Sequence, residues 1–258
     1  MDLFVAGYQT TLDDLVAEAL GLKNQGQKPC LYRNNRDGTF TDVTTEVGLD
    51  HNYLAMGANF GDLDNDGWLD FYLGTGNPDY RYLVPNAMLR NDQGRRFQDV
   101  TQSGGFGHLQ KGHGIAFADI DNDGDQDIYH QLGGFFPGDK FHNALFQNPG
   151  HGNNFIFLKL IGRQTNRDGF GARIKVVLAT EQGTREIHRA VGSVSSFGGS
   201  PIRQEIGLGT PISIERIEIT WPASGIRTVL TGVPMDTMIQ VVEGEDDGTP
   251  VTLTRINF

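Results

Sequence analysis

Two nine-residue segments carry alternating carboxylates that could converge on a single cation: Asp62-Leu-Asp-Asn-Asp-Gly-Trp-Leu-Asp70 and, 57 positions later, Asp119-Ile-Asp-Asn-Asp-Gly-Asp-Gln-Asp127. Carboxylates at loop positions 1, 3, 5 and 9 suit a hard, oxygen-seeking ion such as calcium. The glycine at position 6 permits the sharp turn that offers the position 7 carbonyl. The expected ligands are Asp62, Asp64, Asp66, Asp70 and the carbonyl of Trp68 in the first loop. In the second they are Asp119, Asp121, Asp123, Asp127 and the carbonyl of Asp125. The plainer reading is a pair of Asp-rich hairpin turns without metal, but four crowded carboxylates repel one another unless a cation compensates them.

An EF-hand needs a bidentate Glu at loop position 12 between two helices. Here position 12 is Leu73 in one copy and His130 in the other, and the segments leaving each loop, Asp70-Phe-Tyr-Leu73 and Asp127-Ile-Tyr-His130, are rich in β-formers. Both loops are therefore expected to join strands, and to bind their ions independently.

A 57-residue register surrounds the loops. Asn34, Asn91 and Asn148 keep it, as do Phe40 with Phe97, Asp42 with Asp99 and Thr44 with Thr101. Each unit contains four short strand-like runs, the pattern of a propeller blade. The segment from Met1 to Gly7 matches the strand that leaves an Asp loop, with Asp2 in the place of Asp70 and Asp127. The expected fold is all-β: a partial propeller over residues 1–149 of two whole and two partial blades, the rest belonging to a longer parent chain. An 11-residue insertion between Asp2 and Asp70 reads as a helix capped by Thr11, with Leu12, Leu15, Val16, Ala19 and Leu20 on one face.

After residue 149 the register stops and longer alternating strands begin. Seven of them over residues 150–244 suggest a β-sandwich; residues 245–258 read as a solvated tail. Within this region Asn166-Arg-Asp-Gly-Phe-Gly-Ala-Arg-Ile174, Gly207-Leu-Gly209 and Trp221-Pro222 together resemble the ASPIC/UnbV module. The units before them resemble the FG-GAP or VCBS repeats that accompany it in the cartilage acidic protein family and its bacterial relatives. Phe60-Gly61 supplies the FG of one repeat, where the other has Phe117-Ala118. The resemblance implies an extracellular or envelope-associated protein with a calcium-binding propeller, and no established chemistry. From the residues alone, Asn166-Arg-Asp-Gly169 reads as a turn and Trp221 as a packing anchor.

The net charge of −11 disfavours nucleic acid and anionic membranes as partners. Two bound Ca²⁺ would bring that formal charge to −7. No apolar run reaches the 18 or so residues of a membrane-spanning helix. The single cysteine, Cys30, excludes an intrachain disulfide and reads as a buried thiol. No catalytic motif is legible: there is no Gly-x-Ser-x-Gly, no His-Glu-x-x-His and no phosphate loop. His113 and His130 stand where the sister unit has Met56 and Leu73, and read as satisfied structural histidines. The expected function is a noncatalytic, calcium-binding module for adhesion or scaffolding outside the cell, with a protein or glycan as partner. The alternative is the propeller portion of a secreted enzyme acting on polysaccharide or another extracellular substrate.

Overall fold

Short runs of alternating apolar residues, each closed by a turn, build five small sheets among the described residues, in an all-β, propeller-type fold. The computed structural model describes residues 2–256 apart from 80, 135, 136, 139, 140, 193, 194 and 196. Met1, read as the start of the first strand segment, lies outside them. Strands β1 (Leu3–Val5), β2 (Cys30–Asn34) and β3 (Phe40–Asp42) make the first sheet. Strands β4 (Ala55–Gly61), β5 (Asp70–Thr75), β6 (Ala87–Asp92) and β7 (Arg96–Asp99) make the second, in that order. The third holds β8 (Gly112–Ala118), β9 (Asp127–Leu132) and β10 (Ala144–Phe146).

The expected two whole and two partial blades are thus one four-stranded sheet flanked by two three-stranded ones. The period gives the length of a unit and not the strand at which a sheet begins. Pairing decides that: the strand leaving a loop takes the first strand of the next unit, so Phe71 of β5 faces Leu89 of β6 as Leu3 of β1 faces Tyr32 of β2.

Strand alternation then directs the core to both sides of the middle sheet. Leu73 and Leu89 pack with Val43, Val47 and Leu49 toward the first sheet. Tyr72 and Met88, one position along, pack with Ile115, Phe117 and Ile128 toward the third. Where β4 and β5 meet β8, two glycines lie too close to the facing backbone for a side chain. A Cβ on Gly57 would lie 1.9 Å from the carbonyl oxygen of His113, and one on Gly74 would lie 2.8 Å from the backbone of Gly112.

The insertion forms helix α1 (Leu12–Ala19), with Thr11 and Asp14 in a reciprocal capping box. No residue of α1 is buried, so its apolar stripe does not hold it. It is anchored by polar contacts instead: the amide of Leu12 donates to the Tyr82 hydroxyl, and the amide of Asn52 to the Glu18 carboxylate. Cys30 is half-buried rather than buried, because it lines an open surface cleft with Lys28, Asp42 and Asp50.

From residue 154 the chain forms β11 (Asn154–Ile161), β12 (Arg173–Thr180), β13 (Gly183–Ala190), β14 (Gln204–Gly209), β15 (Ser213–Thr220), β16 (Arg227–Leu230), β17 (Thr237–Val242) and β18 (Gly248–Val251). These make two four-stranded sheets, β14-β11-β17-β18 and β13-β12-β15-β16. Leu158, Ile206 and Val241 of one and Val176, Ile217 and Leu230 of the other share one apolar core, which makes the pair a sandwich. Trp221 is fully buried there and donates its Nε1–H to Thr228 Oγ1 at 3.1 Å, the packing anchor expected of it. Asn166 closes a turn through both its amide atoms to the backbone of Phe170. The segment read as a solvated tail differs: it contributes β18, which pairs antiparallel with β17.

The close approach of β4 and β8 carries an expectation. Gly57→Ala forces one methyl group against backbone that has no rotamer to yield, so urea denaturation should show a loss of roughly 1–3 kcal/mol.

Candidate metal centre

The two Asp loops connect β4 to β5 and β8 to β9, between strand ends held in the same register: Gly61 faces Asp70, and Ala118 faces Asp127. Each loop turns through two left-handed positions. Asn65 and Asn122, at position 4, have φ of 53° and 58°, and Gly67 and Gly124, at position 6, have φ of 89° and 103°. Asn tolerates that region better than other side-chain-bearing residues, which accounts for its presence at position 4 of both copies.

The turns bring carboxylates together. In the first loop, oxygens of Asp62, Asp64 and Asp66 lie within 4.8 Å of one another; in the second, the same holds for Asp119, Asp121 and Asp127. Asp66 accepts from the amide of Trp68, and Asp123 from the amide of Asp125, closing equivalent turns. Asp62 accepts from Gly67, and Asp119 from Gly124.

Position 9 does something further. Asp70 accepts from Leu63 with one oxygen and from Asn91 with the other, at 2.9 and 2.7 Å. Asp127 does the same with Ile120 and Asn148, at 3.0 and 2.8 Å. Asp2 accepts from Asn34 at 2.9 Å, which repeats the clamp a third time. The position 9 carboxylate therefore ties the loop to the end of the following strand, and Asp70 stands outside the tightest group of oxygens.

Trp68 presents its ring to solvent and to the Arg185 guanidinium, 5.3 Å from its centroid. The Asp125 carboxylate accepts from Asn65 Nδ2 at 3.0 Å, and the same amide donates to the Gly124 carbonyl at 2.9 Å. Asn148 Nδ2 bridges the carbonyls of Leu63 and Gln126, and Gln126 accepts from the amide of Asp62. The two loops are thus hydrogen-bonded into one layer. Their neighbours are separated by about sixty residues in sequence, so periodicity alone does not reveal the contact.

The electrostatics of this layer are unfavourable on their own. Burial pushes the Asp62 carboxyl up to about 7 against the opposing pull of Arg189, and Asp119 up to about 6. It raises Asp66, Asp125 and Asp127, and drives Asp70 well above the usual range. Arg90 pairs with Asp64 Oδ2 at 2.8 Å, yet Asp64 Oδ1 is buried and meets no hydrogen-bond donor among the described residues. A buried, unpartnered carboxylate oxygen among two further carboxylates is an oxygen site for a cation. The donor set is all oxygen, with no thiolate or imidazole among the grouped ligands, and fits calcium better than zinc.

His130 does not share this role. It is fully buried with its ring 5.0 Å from Tyr72, as a structural histidine should be, but neither ring nitrogen finds a partner among the described residues. Burial holds its pKa down to about 4, so it stays neutral.

Comparison with known proteins follows the same division of the chain. A family model described as FG-GAP-like repeat matches residues 1–73 and 74–130, each match ending just beyond an Asp loop. The chain belongs to the FG-GAP-like repeat family. A second model, ASPIC and UnbV, matches residues 162–248, most of the sandwich. Cartilage acidic protein 1 of Xenopus tropicalis is similar to this FG-GAP-like chain, 26% identical over 179 residues. That similarity covers 68% of this chain and 24% of the relative, so the chain spans about a quarter of the relative's length.

Raised carboxyl pKa values give a pH dependence. A carboxylate whose folded pKa is raised stabilises the fold fully below its unfolded value near 4, and that stability is lost as pH rises to the folded value. Metal-free protein should therefore lose the contributions of Asp119 and Asp62 as pH rises from about 4 through about 6 and about 7. A divalent cation replaces the lost protons, so its effect on the melting midpoint should be larger at pH 7.5 than at pH 5. Equal effects at both pH values would show that these carboxylates are not its ligands.

Proposed function

We propose that this chain is a calcium-stabilised, noncatalytic module that acts outside the cell in binding, adhesion or scaffolding. The carrying observation is the unpartnered, buried Asp64 Oδ1 among the carboxylates of Asp62 and Asp66, where a cation is the natural complement. In the first loop the ligands are Asp62, Asp64 and Asp66, with Asp70 clamping the loop and the Trp68 carbonyl completing the set. In the second they are Asp119, Asp121, Asp123 and Asp127 with the Asp125 carbonyl. Calcium supplies charge compensation and fixes the loops. The protein residues hold the blade strands in register on either side of it.

An extracellular setting is supported by the ligand chemistry, since oxygen sites of this kind in extracellular modules are matched to millimolar calcium. It is also supported by the similarity to a cartilage acidic protein. No described helix is long and apolar enough to cross a membrane. The partner we assign is an extracellular protein or glycan, met by the sheet rim and sandwich.

With a Kd of about 10⁻⁴ M per site, millimolar calcium would stabilise the fold by roughly 1.4 kcal/mol per site. Melting scans with 1 mM CaCl₂ and with chelator should thus differ by several degrees. Asp64→Asn, which keeps the shape but removes charge, should reduce that difference substantially. An unchanged midpoint between the two scans of the wild-type chain would refute calcium binding.

A further inference from the structure

The sandwich does not merely follow the repeats in sequence; it sits on the loops. Arg189 of β13, half-buried, directs Nη2 to Oδ2 of the buried Asp62 at 3.4 Å. The amide of Gly209, at the end of β14, donates to the Asn65 carbonyl at 2.7 Å. Glu205, also on β14, accepts from the amide of Asp119 in the second loop at 3.0 Å. Strand β14 therefore lies across both loops and is hydrogen-bonded to the backbone of each.

Between Glu205 and Gly209 stands Gly207, which has no room for a side chain. A Cβ there would lie 2.4 Å from Asn65 Cα and 2.6 Å from Asp62 Oδ2. Its φ is not in the left-handed region, so the backbone would accept alanine and only the loop forbids it. This close contact with the first loop thus comes from a sandwich residue that has no side chain to offer as a ligand.

We propose that cation occupancy of the first loop and seating of the sandwich on the repeats are one coupled equilibrium, with Gly207 the point of coupling. The proposal rests on the reading that the loops bind calcium. A cation fixes the Asp62–Asp66 turn, and with it the Asn65 carbonyl and Asp62 carboxylate on which β14 and β13 rest. Without it the like charges push the turn open and take that seat away. Coupling free energies are reciprocal, so whatever unseats β14 must weaken the ion.

Calorimetric titration of CaCl₂ into the full chain tests this with three proteins: wild type, Gly207→Ala, and Gly192→Ala, whose new methyl group meets nothing within 4 Å. Gly207→Ala should lower the affinity of one site about tenfold, within the range usual for coupled sites, and Gly192→Ala should leave both sites unchanged. Should Gly207→Ala fail to fold, hydrogen exchange in the wild type decides. The Gly209 amide should be protected in calcium and exchange at least tenfold faster in chelator, while amides of the β12–β15 pairing should not change. Wild-type protein that binds calcium with no change at Gly209, or a Gly207→Ala protein of unchanged affinity, overturns the coupling alone. Wild-type protein that binds no calcium overturns both the coupling and the metal reading.

Discussion

Burying several like charges at one place costs more than any nearby hydrogen bond returns, and two loops of this protein do so. Asp62, Asp70, Asp119, Asp121 and Asp127 are all buried, and the structure around them is arranged to meet the cost in part. Backbone amides from Leu63, Gly67 and Asn91 point at the first loop, and Ile120, Gly124 and Asn148 repeat the arrangement at the second. Arg90 and Arg189 add positive charge. What remains is an oxygen of Asp64 without a donor, and carboxyls whose protonation the fold favours. A divalent cation removes both problems at once.

The same carboxylates organise the sheets. Position 9 bridges a loop amide and the amide of an Asn one strand further on, and its bond to that Asn recurs at Asp2, Asp70 and Asp127. Loss of the charge balance would therefore reach beyond the loop into the register of the strands. Through Asn65 and Asn148 it would also reach the other loop, and through β14 the sandwich.

Much of this is legible in the sequence because it is local or periodic. The alternating Asp pattern marks the loops, the 57-residue register marks the blades, and Thr11 with Asp14 marks the helix start. The recurring Asn34, Asn91 and Asn148 are visible too, although their task of holding position 9 emerges only when β2, β6 and β10 lie beside the strands that leave the loops. The phase of the blades is hidden because a repeat has no marked beginning. Long-range contacts are hidden for a different reason: Arg189 and Asp62 are 127 positions apart, and nothing in either residue's neighbourhood names the other. Gly207-Leu-Gly209 stands between these cases. As a sequence it resembles part of the ASPIC/UnbV module, and in the structure Gly207 and Gly209 both lie against Asn65.

We propose that the two loops hold calcium in place of protons and counter-charges. Equilibrium dialysis of the full chain against radiolabelled calcium, at free concentrations reaching several millimolar and pH 7.5, tests it most directly. Binding that saturates at two ions per chain is the expected result. An absence of saturable binding, with wild-type and Asp64→Asn chains indistinguishable, would contradict it.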